Sequence, residues 1–168
     1  MLEDAPDFLI LQSHSHRVTE YLEFYRELQK RCDLRVHVSI ETDIENFPGL
    51  PPHASSVERR FEAARTLSAA GIRTVITVSP LMPIREPERF FARVASSAGA
   101  VVIDHFVQGD GTADGSRTRR TALPAAMAVV NADSVGLAYR DRMVEIALRH
   151  LPGRVGVNID GFAGRYLA

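Results

Sequence analysis

Five short apolar runs alternate along this chain with segments of helical spacing, and that alternation restricts the fold more than any other feature. The runs are FLILQ (8–12), LRVHVSI (34–40), IRTVITV (72–78), AVVIDHF (100–106) and PGRVGVNID (152–160). Strands that alternate with helices form a parallel sheet covered by those helices. Between the first two runs, Val18, Tyr21, Leu22, Tyr25 and Leu28 recur at helical spacing. Ser55 and Glu58 have capping-box spacing, and a helix is predicted from about Ser56 to Ala70. Its inner face is Val57, Phe61, Ala64 and Leu67, and Gly71 is its stop. Pro87 opens a third helix with Phe90, Phe91, Val94 and Ala98 inside, and Gly99 ends it. The turn-rich stretch VQGDGTADGSRTRRTALP follows the fourth run. A short helix is predicted at Pro124 to Val130. A longer one is predicted at Ser134 to His150, with Val135, Ala138, Met143, Val144 and Ala147 for burial.

With 168 residues the chain suits one domain, residues 1–168. Five strands are too few for an eight-stranded barrel, which takes about 250 residues. An open doubly wound sheet and a partial barrel remain. Polar rows separate them. Arg35, His37, Ser39 and Glu41 alternate with Val36, Val38 and Ile40. Asp104 and His105 end the fourth run, and Gly156, Asn158 and Asp160 alternate through the fifth. A doubly wound sheet buries both faces under helices and has no place for such rows. The expected fold is therefore α/β, a half-to-three-quarter TIM-type barrel of about five parallel strands with outer helices. The polar rows would face a wet lumen, with a site at the C-terminal strand ends.

Composition narrows the function. Charged residues make up 24% and the net charge is −1, so no basic field favours nucleic acid. No apolar run approaches the roughly 20 residues of a membrane span. The start, MLEDAPDFLILQ, is acidic and lacks the pattern of a signal peptide, which gives a cytoplasmic expectation. Cys32 is the single cysteine, which excludes a multi-cysteine metal site within the chain and reads as a semi-buried structural thiol.

The polar candidates at strand ends are His14, His16, Ser39, Glu41, Ser79, Asp104, His105, Asn158 and Asp160. Each also has a structural reading, as a loop, capping or paired residue. His14, His16 and Asp104 would be the ligands of a metal-dependent hydrolase. No nucleophile elbow Gly-x-Ser-x-Gly is present, and GDGTADG lacks the Lys-Ser/Thr ending of a phosphate loop. Arg117, Arg119 and Arg120 could meet phosphates or form a solvated loop.

Three stretches taken in order carry a resemblance: VHVSIETD, SSVERRFEAARTLSAAGIRTVITVSPLMPI and VVIDHF. With VVIDHFVQGDGTADGSRTRRT and GRVGVNIDGFAGR, they resemble the later part of a radical S-adenosylmethionine protein of the spore photoproduct lyase-like group, from about Phe8 onward. The resemblance implies a partial barrel. It implies that Ser39 and Glu41 meet the ribose and amino-acid part of S-adenosylmethionine, and that Arg60 meets its carboxylate. It also puts Ser79, after VITV, near the adenine and matches Asp104 and His105 to the next strand, with His37 on the same polar row. The family's Cys-x3-Cys-x2-Cys loop, which holds a 4Fe-4S cluster on thiolates, has no counterpart here. The chain thus reads as the C-terminal two-thirds of such an enzyme: a truncated product, a late start or one piece of a split enzyme. The cluster would come from an N-terminal partner, and catalysis alone is not expected. A second expectation is a non-catalytic interaction domain that self-associates or docks a partner chain through an exposed edge at Phe8 to Gln12.

Overall fold

The computed structural model describes residues 5–168. The acidic start at Met1 to Asp4 lies outside the described residues. Five strands form one all-parallel sheet: β1 (Phe8–Ser13), β2 (Asp33–Ser39), β3 (Thr74–Val78), β4 (Ala100–Ile103) and β5 (Val155–Val157). They lie side by side in chain order, β1-β2-β3-β4-β5, with no reversal. A parallel crossover is almost always right-handed, so strands added in one direction send their helices to one face. The packing agrees. Leu34, Val36, Val38 and Ile40 of the β2 region join Ile76, Val78, Val101 and Ile103 in the main core. Side chains of α1 (Leu22–Leu28), α2 (Val57–Ala69) and α3 (Pro87–Ser97) pack onto them.

α2 buries Val57, Phe61, Ala64 and Leu67 as expected, and Arg60 with them. Ser56 caps it, its hydroxyl accepting from the Arg59 N–H at 3.2 Å. The Glu45 carboxylate accepts from the Val57 N–H at 2.8 Å, an anion placed at the positive helix end. α3 starts at Pro87 and buries Phe90, Phe91 and Val94. Phe61, Phe90 and Phe91 meet edge to face, at ring separations of 5.7 and 5.2 Å.

Elsewhere the elements are shorter than the periodicity suggests. The first helical stretch is a 3-10 segment, His16–Tyr21, followed by α1. The turn-rich segment begins with α4 (Phe106–Gly109), a single turn interrupted at Val107 and Gln108. It is then organised by Asp110, whose carboxylate accepts from the N–H groups of Thr112 and Thr118 at 2.9 and 2.7 Å. Arg117, Arg119 and Arg120 are exposed there, and Arg119 lies over the Phe106 ring at 5.6 Å. α5 (Leu123–Val130) follows. The long helix predicted from Ser134 is broken at Gly136, which is extended (φ −121°, ψ 154°), so α6 spans Leu137–His150. Tyr139, Met143 and Ala147 are buried on it, whereas Ala138 is exposed. The Tyr139 hydroxyl accepts from the Ile84 N–H at 2.8 Å, a bond that helical periodicity does not reveal.

The fifth strand is also shorter than expected. β5 ends at Val157, and Asn158 adopts a left-handed φ of 50° that starts α7 (Asn158–Phe162). Asp160 is therefore in that turn of helix rather than on a strand. The residues after it cross the face opposite the helices, where Phe162 and Tyr166 pack on Val75, Ala100 and Val102. No helix among the described residues is long and apolar enough to cross a membrane.

Candidate functional site

Side chains alternate across each strand, and the strand register fixes which residues share the face away from the helices. Gln12 pairs with His37, His37 with Val75, Ser39 with Thr77, and Thr77 with Val102. One step toward the C-terminal ends lie Glu41, Ser79 and Asp104. The expected polar row exists, but it is not wet. His37 is 1% exposed, Ser39 and Thr77 are fully buried, and Glu41 is 5% exposed. His37 is covered by the C-terminal segment, whose Phe162 ring stacks on it at 6.0 Å. Arg35 is also largely covered. It pairs with Asp33 at 3.2 Å and lies over the Phe8 ring at 4.7 Å.

The buried row is joined by hydrogen bonds. Gln12 Nε2 donates to Ser39 Oγ at 3.0 Å, and Ser39 Oγ lies 3.0 Å from Thr77 Oγ1. Gln12 and Thr77 were not singled out in the sequence, although Thr77 sits at a fixed alternation within TVITV. Ser39 thus has its hydroxyl in a network and its carbonyl on Arg60.

Arg60 and Glu41 form the centre of the site. Arg60 Nη1 donates to the Ser39 carbonyl at 2.6 Å and to Glu41 Oε2 at 2.7 Å. Its Nε and Nη2 have no partner, although the side chain is buried. His14 Nδ1 lies 2.9 Å from Glu41 Oε1, close enough for charge attraction but off the line of a good hydrogen bond. Burial alone would push the Glu41 carboxyl up. His14 and Arg60 outweigh it and hold the pKa at about 2. The contact with Glu41 in turn raises the His14 pKa above its ordinary 6.5, against burial and Arg60.

These residues line a cavity of about 360 Å³ at the C-terminal end of β2, which His53, Phe47 and Met82 also line. That size is within the range of small-molecule sites. His53 comes from the loop after β2, where its Nε2 lies 3.2 Å from the Ile44 carbonyl. Sequence reading missed it, because a His in a Pro- and Gly-rich loop carries no periodic signal. A larger cleft of about 610 Å³ lies between α2 and α3, lined by Arg65, Arg85, Arg89 and Arg93. Its acidic residues pair with several of these arginines, and it has no unpartnered buried group. The smaller cavity is the better candidate on chemistry.

The structure separates the other candidates. Ser79 Oγ donates to Asp104 Oδ2 at 3.1 Å, while Asp104 Oδ1 is unpartnered. Burial raises the Asp104 pKa, partly offset by Ser79 and Arg140. A Cβ at Gly109 would overlap the Asp104 carboxylate as it stands, so a larger residue there would displace that side chain. Both ring nitrogens of His105 are occupied: Nε2 lies 2.9 Å from the Ser134 carbonyl, and Nδ1 accepts from the Val107 N–H at 3.1 Å. His105 could meet a ligand only by breaking these bonds, which corrects its expected availability. His37 lies mid-strand under Phe162, away from the cavity. His16 is held by Ser55, whose hydroxyl accepts its N–H at 3.1 Å and lies 2.8 Å from Nδ1. His14, His16 and Asp104 thus have three separate sets of partners, and among the described residues no group of three His, Cys, Asp or Glu side chains is arranged for a metal ion.

Cys32 is half-buried, with Sγ 3.4 Å from the Leu28 carbonyl. It precedes β2, whereas Glu41 follows it, so the two are separated by roughly 20 Å or more of extended chain.

The fold and site define a parallel α/β protein in which a buried ion pair borders a cavity at the C-terminal end of its sheet. No family model, curated protein or solved structure matches the chain.

The coupling between His14 and Glu41 is directly measurable. The His14 imidazole is expected to titrate above 6.5 in a proton NMR titration, and Glu41→Gln is expected to bring it to 6.5 or below, because burial and Arg60 then act unopposed. The linked stability is present below pH 6.5 and is lost as pH rises through the raised pKa of His14. An unchanged His14 pKa in Glu41→Gln would place its partner elsewhere.

Proposed function

We propose that this chain is a radical S-adenosylmethionine-type module that binds the amino-acid end of S-adenosylmethionine through Arg60 and Glu41. The observation that carries the reading is the buried Arg60 guanidinium, held on one side by Ser39 and Glu41 and left with two unpartnered nitrogens. A carboxylate is the natural partner of that fork, and it reaches the two buried nitrogens once the packing around Arg60 opens. Glu41, ionised to about pH 2, is the group on which an ammonium would rest. Phe47 and Met82 provide apolar wall for the remainder of the ligand. The unreversed strand order and the polar row on the face opposite α1–α3 support a partial barrel of the TIM type.

In this class the cofactor supplies a 5′-deoxyadenosyl group after reductive cleavage at a 4Fe-4S cluster. The described residues fit the cofactor's amino-acid end, but they do not fit the cluster. Cys32 is the single thiol and lies at the opposite end of β2. The reading is therefore one of binding, with cleavage dependent on thiolates that these 168 residues do not supply. Isothermal titration of S-adenosylmethionine is expected to show saturable binding that Arg60→Ala and Glu41→Ala abolish. Equal binding by both variants and by the parent would place the ligand outside this cavity, and no binding to the folded parent would end the reading.

A second reading, an interaction domain, is favoured by the free edge of β1. Among the described residues this strand pairs only with β2, and Phe8, Tyr21 and Phe24 are exposed large hydrophobics. Such an edge is a template for another strand. Size-exclusion with light scattering is expected to show concentration-dependent dimerisation that Ile10→Pro disrupts. A strict monomer at high concentration would remove self-association.

A further inference from the structure

The C-terminal residues close a face that the sheet itself leaves open. After β5 the chain turns at Asn158 and runs back across the polar row, with Phe162 over His37 and Tyr166 on the Val75, Ala100 and Val102 patch. Its far end is held by one antiparallel bridge, in which the Leu167 N–H donates to the Val155 carbonyl at 2.8 Å. The contact is close. A Cβ on Gly161 would collide with the Gly156 backbone, and one on Gly164 would collide with the Arg35 guanidinium.

The cover is chemically mismatched to what lies beneath. His37 Nδ1 and Nε2 and Arg35 Nε are buried without partners. A phenyl ring offers His37 no in-plane hydrogen bond, so closing the face removes water without replacing its hydrogen bonds. The outer side of the segment is also poorly satisfied, since Ile159 remains 79% exposed. Asn158, with a φ of 50°, stands where the stretch leaves the sheet, and Gly164, with a φ of 79°, lies between Phe162 and Tyr166, so the stretch has a hinge at its start and a second within it.

We propose that residues 158–168 are a displaceable strap, an autoinhibitory contact that closes the face opposite α1–α3 and swings away to expose His37 and Arg35 to a polar ligand. The strap opens while the sheet stays folded, as a local transition below global unfolding. The inference stands independently of what binds at Arg60 and Glu41.

Two measurements on the full chain test it. In native-state hydrogen exchange, the amides of Arg165 and Leu167 are expected to exchange at least about tenfold faster than those of β2 and β3. Carbethoxylation by diethyl pyrocarbonate, followed by peptide mass spectrometry, is expected to modify His37 under native conditions. Gly164→Ala forces a Cβ against Arg35 and imposes an unfavourable φ, so it is expected to speed His37 modification about tenfold while leaving β2 and β3 exchange within about twofold. Strap amides that exchange only with the central strands would overturn the proposal. So would His37 reacting only at the global unfolding rate, because fraying of the chain end alone does not expose that ring.

Discussion

Arg60→Ala is expected to cost about 3–5 kcal/mol of unfolding free energy at pH 7. The substitution leaves the Glu41 carboxylate in a site 5% exposed, with only His14 nearby to balance it. It also removes a donor from the Ser39 carbonyl, which Arg60 Nη1 holds at 2.6 Å. Much of the loss is the penalty of the abandoned charge rather than the net value of the pair. The double variant Arg60→Met with Glu41→Leu is therefore expected to recover most of it, because neither side chain then carries a charge. Chemical unfolding of the parent, both single variants and the double variant closes the cycle. A loss below about 1 kcal/mol for Arg60→Ala would show a solvated pair of the kind found on surfaces.

The same pair has a pH signature. Glu41 has a folded pKa of about 2, below its ordinary 4.5. Its contribution is fully present above pH 4.5 and is lost as pH falls toward 2. A shift of this size corresponds to about 3 kcal/mol, the same order as the truncation cost. Arg60→Ala should thus shrink the acid loss below pH 4.5 as well as the stability at pH 7.

Much of this arrangement was legible in the sequence, and the misses have physical causes. Five parallel strands, the inward face of α2 and the polar row of β2 follow from spacing alone. Period-2 alternation and 3.6-residue spacing are local signals. The resemblance directed attention to Arg60 beside inward-facing Phe61, and the structure brings it to Glu41 and the Ser39 carbonyl. What spacing could not give is what covers the row. The turn after Val157 depends on the close approach of Gly156 and Gly161, a tertiary contact with no local pattern. For the same reason a lumen expected to be wet is capped by Phe162. The sequence marks His105 as a strand-end candidate, but its partner, the Ser134 carbonyl, lies twenty-nine residues away. The long helix predicted from Ser134 ignored Gly136, where an extended backbone interrupts it before α6.

His37→Phe is expected to remove a large share of the acid sensitivity of this protein between pH 6.5 and 4. Burial, reinforced by the neighbouring Arg35, lowers the folded pKa of His37 from 6.5 to about 4. The unfolded chain therefore binds more protons in that window. Stability is full above pH 6.5 and falls as pH drops through 6.5 toward 4, where about 3 kcal/mol has been lost. Glu41 begins to contribute only below pH 4.5, and the upper part of the window belongs to His37 together with His105, whose pKa burial also lowers. Phenylalanine keeps a ring against Phe162 and removes the two nitrogens that have no partner in the fold. At pH 7 the variant should also gain about 1–3 kcal/mol, the usual cost of a buried unsatisfied group. Urea unfolding of parent and variant at pH 7, 5.5 and 4.5 measures both effects. Parallel pH curves would mean that the ring of His37 is hydrated in the fold and that its burial under the C-terminal segment is incomplete. A shallower curve for the variant than for the parent would identify the His37 imidazole as a source of acid lability, the remaining slope belonging to His105.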